Sequence, residues 1–197
     1  MQKLATAQEL QSRIVTILET VVNEFKPLTD AQLRWKPTAA RPAPDQWSIL
    51  ECLQHLNLAE RFYIRNIQHK VDQLGLVQTS PTDQVLESDW VGKAMLYTVD
   101  PQVKIKLPVP GMIRPRRVGE LNPTEVINQF VELHTLLREL LAKAVYLDWN
   151  QEEMMTLFGN WLKIRLGDAL RMLVAHSEQH INQAMRVKKE MNNFVAS

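Results

Sequence analysis

The residues best suited to chemistry in this 197-residue chain are three histidines, His55, His176 and His180. His176 and His180 stand four apart in RMLVAHSEQHINQ. On an α-helix that spacing is about 400° of rotation and roughly 6 Å of rise, so both imidazoles leave one face a turn apart. That is a workable bite for two ligands of one metal ion. His55, in SILECLQHLNLAER, lies on a separate stretch and reaches the same ion only if the two helices pack side by side. Three neutral nitrogen donors would leave one coordination position open, as catalytic zinc sites do, whereas closed structural sites take four protein ligands. Nitrogen-only ligation suits a divalent metal ion such as zinc or nickel and is compatible with iron or copper.

The bland reading is ordinary core. A solitary core histidine is usually a hydrogen-bonded packing residue, and i, i+4 pairs arise freely on helix surfaces. Against it, His176 and His180 fall on the apolar stripe of their helix, where two uncompensated imidazoles are costly to bury. Other candidates are weaker. His134 falls on the inward stripe of its own helix and reads as a core-edge residue. His69 lies four turns beyond His55, about 20 Å along the axis, too far to share an ion. Cys52, one turn before His55, reads as a small buried hydrophobe. Gln183, one turn after His180, could orient a ligand or a water from behind the metal. Glu178 is rotated off the ligand face, so no carboxylate is clearly placed as a general base.

Helical elements must position these residues. Apolar positions Leu4, Leu10, Ile14, Ile17, Leu18, Val21, Val22 and Phe25 recur at helical spacing and stop at Pro27. A proline-rich loop through Pro37, Pro42 and Pro44 follows. Ser48 and Glu51 then form a capping box, with Trp47 before it as a hydrophobic staple. The stripe of that second helix, Cys52, His55, Leu56, Ala59, Phe62, Tyr63 and Asn66, puts His55 where the core residues point. Residues 75–122 hold repeated Pro and Gly without helical periodicity and read as a long irregular crossover, a length that is often functional. Val103, Ile105 and Leu107 could make one short strand there, without a partner. Asn122, Pro123 and Glu125 start the third helix as N-cap, first helical residue and N3 acid. A loop through Leu147–Leu162 leads to the last helix.

These patterns predict an all-α four-helix bundle in a single domain over 1–197, with helices near 6–25, 48–73, 123–146 and 166–191. The long crossover between helices 2 and 3 allows those two to lie parallel. The chain is 45% hydrophobic with 23 basic and 22 acidic residues, net charge +1. That balance gives no bulk reason to expect nucleic acid or an anionic membrane as partner. One cysteine excludes an intramolecular disulfide and suits a reducing compartment. The beginning of the chain shows no signal-peptide apolar run, and no apolar run approaches the roughly 18 residues of a membrane helix, so a cytoplasmic protein is expected.

The order of parts resembles the DinB-like superfamily, the damage-inducible helical bundles that include the bacillithiol transferases. The resemblance rests on W-S-I-L-E-x-L-x-H-L in Trp47–Leu56 and H-x-x-x-H-x-x-Q in His176–Gln183, and it spans nearly the whole chain. It implies an up-down-down-up bundle, often a homodimer, with a divalent metal on one histidine of the second helix and two of the last. Those map onto His55, His176 and His180. Gln179 and Asn182 stand where many members have His and Gly, and neither change removes a ligand.

Three functions follow as expectations. The first is a metal-dependent, hydrolase-like enzyme acting on a small-molecule substrate. The second is transfer of a low-molecular-weight thiol to an electrophile at the same site. The third is a non-catalytic metal-binding or interaction module. A basic run in the crossover, Lys104, Lys106, Arg114, Arg116 and Arg117, reads either as a solvated loop or as a rim for an anionic substrate. Trp47, Trp90, Trp149 and Trp161 read as packing residues.

Overall fold

The apolar stripes become helices wherever a side chain can accept their first amide protons. The structure, a computed structural model, describes residues 6–37, 46–74, 88–99, 109–144 and 146–195. Helix α1 (Ala7–Thr20) starts at Thr6, which exchanges side-chain and backbone hydrogen bonds with Glu9. One π-type turn, Val21–Phe25, carries it on toward Pro27. A short helix α2 (Asp30–Arg34) follows. Helix α3 (Ile49–Leu74) opens on the expected box: Glu51 N donates to Ser48 Oγ at 3.2 Å, and Ser48 N donates to Glu51 Oε2 at 2.8 Å. Helix α4 (Trp90–Thr98) lies in the crossover, helix α5 (Pro123–Ala144) begins at the Asn122 cap, and helix α6 (Leu166–Val195) closes the chain.

Paired side chains give the helix directions. Arg13 meets Glu178, and Glu24 meets Lys188, so α1 and α6 run parallel. His55 meets His180 while Glu60 meets His176, so α3 and α6 run antiparallel. Asn57 Nδ2 donates to Val126 O at 2.9 Å and Glu60 faces His134, so α3 and α5 are parallel. The result is the up-down-down-up bundle. Helices α1 and α3 sit on opposite sides, each packed against both α5 and α6. Leu10 and Ile14 of α1, Phe25 of the π-type turn that extends it, Leu53 and Ile64 of α3, Phe130 and Leu137 of α5, and Leu170 and Val174 of α6 are fully buried between them. Each such side chain contributes about 1.5–3 kcal/mol on burial. Among the described residues no helix is long and apolar enough to cross a membrane.

Two connections differ from the sequence expectation. The crossover, read as irregular, contains α4, whose first turn is capped by Asp89 accepting from Gly92 N at 2.8 Å. Its period was hidden because the helix is only nine residues long and includes a glycine. Gly92 is there for clearance: a Cβ would overlap the Asp168 carboxylate of α6. Ser88 donates to that carboxylate, and Arg171 donates to Ser88 Oγ, which fastens the crossover to α6. The stretch read as a loop between α5 and α6 holds an antiparallel hairpin, β1 (Glu153–Thr156) and β2 (Gly159–Arg165), with Met154 opposite Ile164. Its alternation spans four residues in β1, too short to register as a sheet pattern. Gly159, at φ +101°, makes the turn. The possible strand at Val103, Ile105 and Leu107 lies outside the described residues.

Candidate metal centre

Helices α3 and α6 cross with His55 opposite the His176 and His180 pair, and the three rings converge. Ring centroids are 5.1 Å apart for His55 and His176, 4.6 Å for His55 and His180, and 4.8 Å for His176 and His180. One nitrogen from each ring lies within 4.8 Å of the other two. His55 is buried and the other two are partly so.

The outward nitrogens decide which atoms converge. His55 Nδ1 is 2.7 Å from the carbonyl of Ile113, which can only accept, so that nitrogen carries the proton. His176 Nδ1 lies 3.3 Å from Glu60 Oε1, and His180 Nδ1 lies 3.0 Å from Gln183 Oε1. With Nδ1–H committed outward, the Nε2 lone pairs face inward. His55 Nε2 and His176 Nε2 then stand 3.2 Å apart. Two lone pairs at that distance repel unless a cation lies between them. Nitrogens bound tetrahedrally at 2.0–2.1 Å stand about 3.3 Å apart. The donor set and its spacing therefore fit one divalent metal ion.

Electrostatics favour the same state. Burial, then the neighbouring His176, pull His55 down to about 4, against the Ile113 carbonyl and Glu60, which raise it. Burial, then His176 and His55, hold His180 well below its ordinary value. Imidazoles that resist protonation are the ones that ligate. Burial alone would push Glu60 up, but His134 and His176 outweigh it and hold the carboxyl at about 2.

Gln183, singled out in the sequence, is the side chain that His180 Nδ1 reaches. Glu178 is turned away and forms a two-pronged contact with Arg13. Cys52 is fully buried, and burial pushes its thiol up, away from a thiolate ligand. His69 is exposed and apart from the trio. His134 is buried and outside it, with Nε2 3.1 Å from Glu60. Lys104 and Lys106 lie outside the described residues, whereas Arg114, Arg116 and Arg117 are exposed. Their segment is tied to α3 on both sides of the site: Ile113 O accepts from His55, and Arg116 N donates to Gln54 Oε1 at 2.9 Å.

Three contributors escaped the sequence. Glu60 drew no reading of its own in the sequence, and its one legible signal is its place a turn from Leu56 and Ile64, both fully buried. Ile113 acts through its backbone, which carries no side-chain signature. Trp47 reads as packing, and it packs on two of the three histidines: its ring centroid is 5.5 Å from His180, inclined 26°, and 4.8 Å from His55.

The sequence matches the DinB superfamily over residues 14–184. The chain belongs to the DinB superfamily. No curated protein matches it at a significant level. Among solved structures it is similar to YfiT from Bacillus subtilis, described as a probable metal-dependent hydrolase with an unusual four-helix bundle topology. The two share 18% identity and a TM-score of 0.51, covering 98% of this DinB chain and 93% of the other. At that identity the likeness shows the fold.

Proposed function

We propose that this DinB protein is a metal-dependent hydrolase of a small-molecule substrate, with His55, His176 and His180 holding one zinc or nickel ion. The observation that carries the reading is the division of ring nitrogens: every Nδ1 has a partner outside the trio, while one nitrogen of each ring lies within 4.8 Å of the other two. The YfiT likeness supports it at the level of fold. A divalent ion there supplies Lewis acidity, polarising a carbonyl or phosphoryl oxygen and lowering the pKa of water or a thiol.

The chain's own residues do the rest. Ile113 O, Glu60 and Gln183 hold the three rings in their ligating tautomers. Trp47 packs over two of the rings and keeps water off that side. Among the described residues, Glu60 is bonded to His176, Glu51 to Ser48 and Lys36, and Glu178 to Arg13, so none of these three is assigned as a general base. Arg114, Arg116 and Arg117, carried on the segment that reaches His55, are placed to receive an anionic end of the substrate. A cytoplasmic homodimer belongs to the same reading, supported by the single cysteine and by the family's tendency to pair.

The test is a substrate panel run on metal-loaded protein with and without chelator. Esters, amides and phosphoesters form one arm, and low-molecular-weight thiols with model electrophiles form the other. We expect hydrolysis in the first arm, lost on chelation and in His180→Ala. Turnover confined to the second arm would make the protein a thiol transferase. Turnover in neither would make it a metal-binding module. Light scattering at micromolar concentration tests the dimer.

A further inference from the structure

We propose that Glu60 is the positioning residue of the metal centre, and that His134, which touches none of the three ligands, acts on the ion through it. The inference rests on the reading of His55, His176 and His180 as metal ligands.

Glu60 is fully buried where α3, α5 and α6 meet. A buried carboxylate is costly unless donors surround it, and as a mere tie between helices it would serve no better than apolar packing. What the site gains is specific. Two donors converge on Oε1: Ser177 Oγ at 2.8 Å and His176 Nδ1 at 3.3 Å. The other oxygen, Oε2, lies 3.1 Å from His134 Nε2 with no hydrogen bond between them.

His134 is itself fixed on every side. Its Nδ1 is 3.0 Å from Phe130 O, its Nε2 is 3.0 Å from Ser177 Oγ, and its ring stacks on Phe130 at 3.7 Å and 20°. A rigid ring on α5 thus abuts both the carboxylate on α3 and Ser177, the hydroxyl that donates to it, and the carboxylate accepts from the His176 ring on α6.

The consequence is an asymmetry among the three ligands. His55 and His180 donate their Nδ1–H to neutral oxygens, the Ile113 carbonyl and the Gln183 amide. His176 alone donates to a carboxylate. A carboxylate behind an imidazole fixes its tautomer and raises the basicity of the opposite nitrogen. His176 is therefore the strongest donor of the three, and the ion's affinity depends on a helix, α5, that supplies no ligand.

Cobalt(II) titration tests this in the full chain, with affinity read by competition against a chromophoric chelator and geometry read from the d–d absorption. Glu60→Gln keeps the size and an amide oxygen for His176 while removing the charge. We expect about 10–100-fold weaker cobalt binding, within the range of lost outer-shell partners, with altered d–d bands and unchanged helical content. His134→Gln leaves Glu60 in place and should weaken binding in the same direction by less. If Glu60→Gln does not fold, His134→Gln carries the test. Wild-type affinity and d–d bands in the folded variants would overturn the proposal. So would a fall in apo melting temperature without loss of affinity, the mark of a structural tie. Wild-type protein that binds no cobalt would instead overturn the metal reading beneath it.

Discussion

Saturating the protein with its metal should raise its melting temperature by an amount that the three histidines control. The ion finds its full ligand set only when α3 and α6 are docked, because His55 and the His176/His180 pair come from opposite helices. Unfolding separates them and leaves at most the local pair. A ligand that binds only the folded state stabilises it by about 4 kcal/mol at a thousand times its Kd. For a domain of this size each kcal/mol moves the midpoint by roughly 2–4 °C, so the increment should be about 8–16 °C. The assay is differential scanning calorimetry of apo and zinc-loaded protein, purified without a metal-affinity tag. His55→Ala, His176→Ala and His180→Ala each carry a packing loss of their own. Taking loaded minus apo within each variant removes that loss. The increment should collapse in all three. A His55→Ala protein that kept the full increment would refute the bridge between helices, because the α6 pair alone would then account for binding.

Acid should destabilise the apo protein in a defined window. The folded state holds His55 near 4, while an unfolded histidine titrates near 6.5, so below about 6.5 the unfolded chain takes up protons that the folded chain refuses. Stability from the buried neutral ring is thus present above pH 6.5 and lost as pH falls to 4, with His180 acting in the same direction; urea midpoints that stay level across that range would contradict it. Gly92→Ala should cost about 1–3 kcal/mol by forcing α4 off Asp168. A urea midpoint equal to wild type would show that the crossover is not clamped there.

How far the sequence could be read follows from what each signal encodes. Helices α1, α3, α5 and α6 were legible because apolar residues recur at helical spacing and Ser48/Glu51 and Asn122/Glu125 announce two of the starts. The same periodicity made the trio legible: His55, His176 and His180 ride on stripes that must face the core. Glu60 was not legible, for a geometric reason. Five residues past His55 is about 140° around the helix, which turns Glu60 toward α5 rather than along the stripe that carries His55. It stands instead in the row of Leu53, Leu56, Ile64 and Ile67, all fully buried, of which the stripe drawn through His55 included only Leu56. Helix α4 and the hairpin were missed because each is too short for its period to show. Their placement comes from contacts distant in sequence, Gly92 against Asp168 and Leu157 N donating to Tyr63 Oη at 3.2 Å.

The three histidines are not held alike, and the differences rank their freedom. His176 is anchored by a buried carboxylate pinned from two other directions. His55 is anchored by a backbone carbonyl of the crossover at 2.7 Å, an acceptor that substitution at Ile113 would shift but not delete. His180 has the weakest tether, because its Gln183 partner lies three residues away on the same helix and so fixes nothing relative to α3. What holds His180 across the helix pair is Trp47, whose ring lies nearly flat against it at the start of α3. The staple residue that opens the second long helix thus also packs on the histidine that the hydrogen-bond network leaves loosest. That is why the short stretch from Trp47 to His55 carries so much of the cluster: it caps a helix, supplies one of the three imidazoles and steadies another.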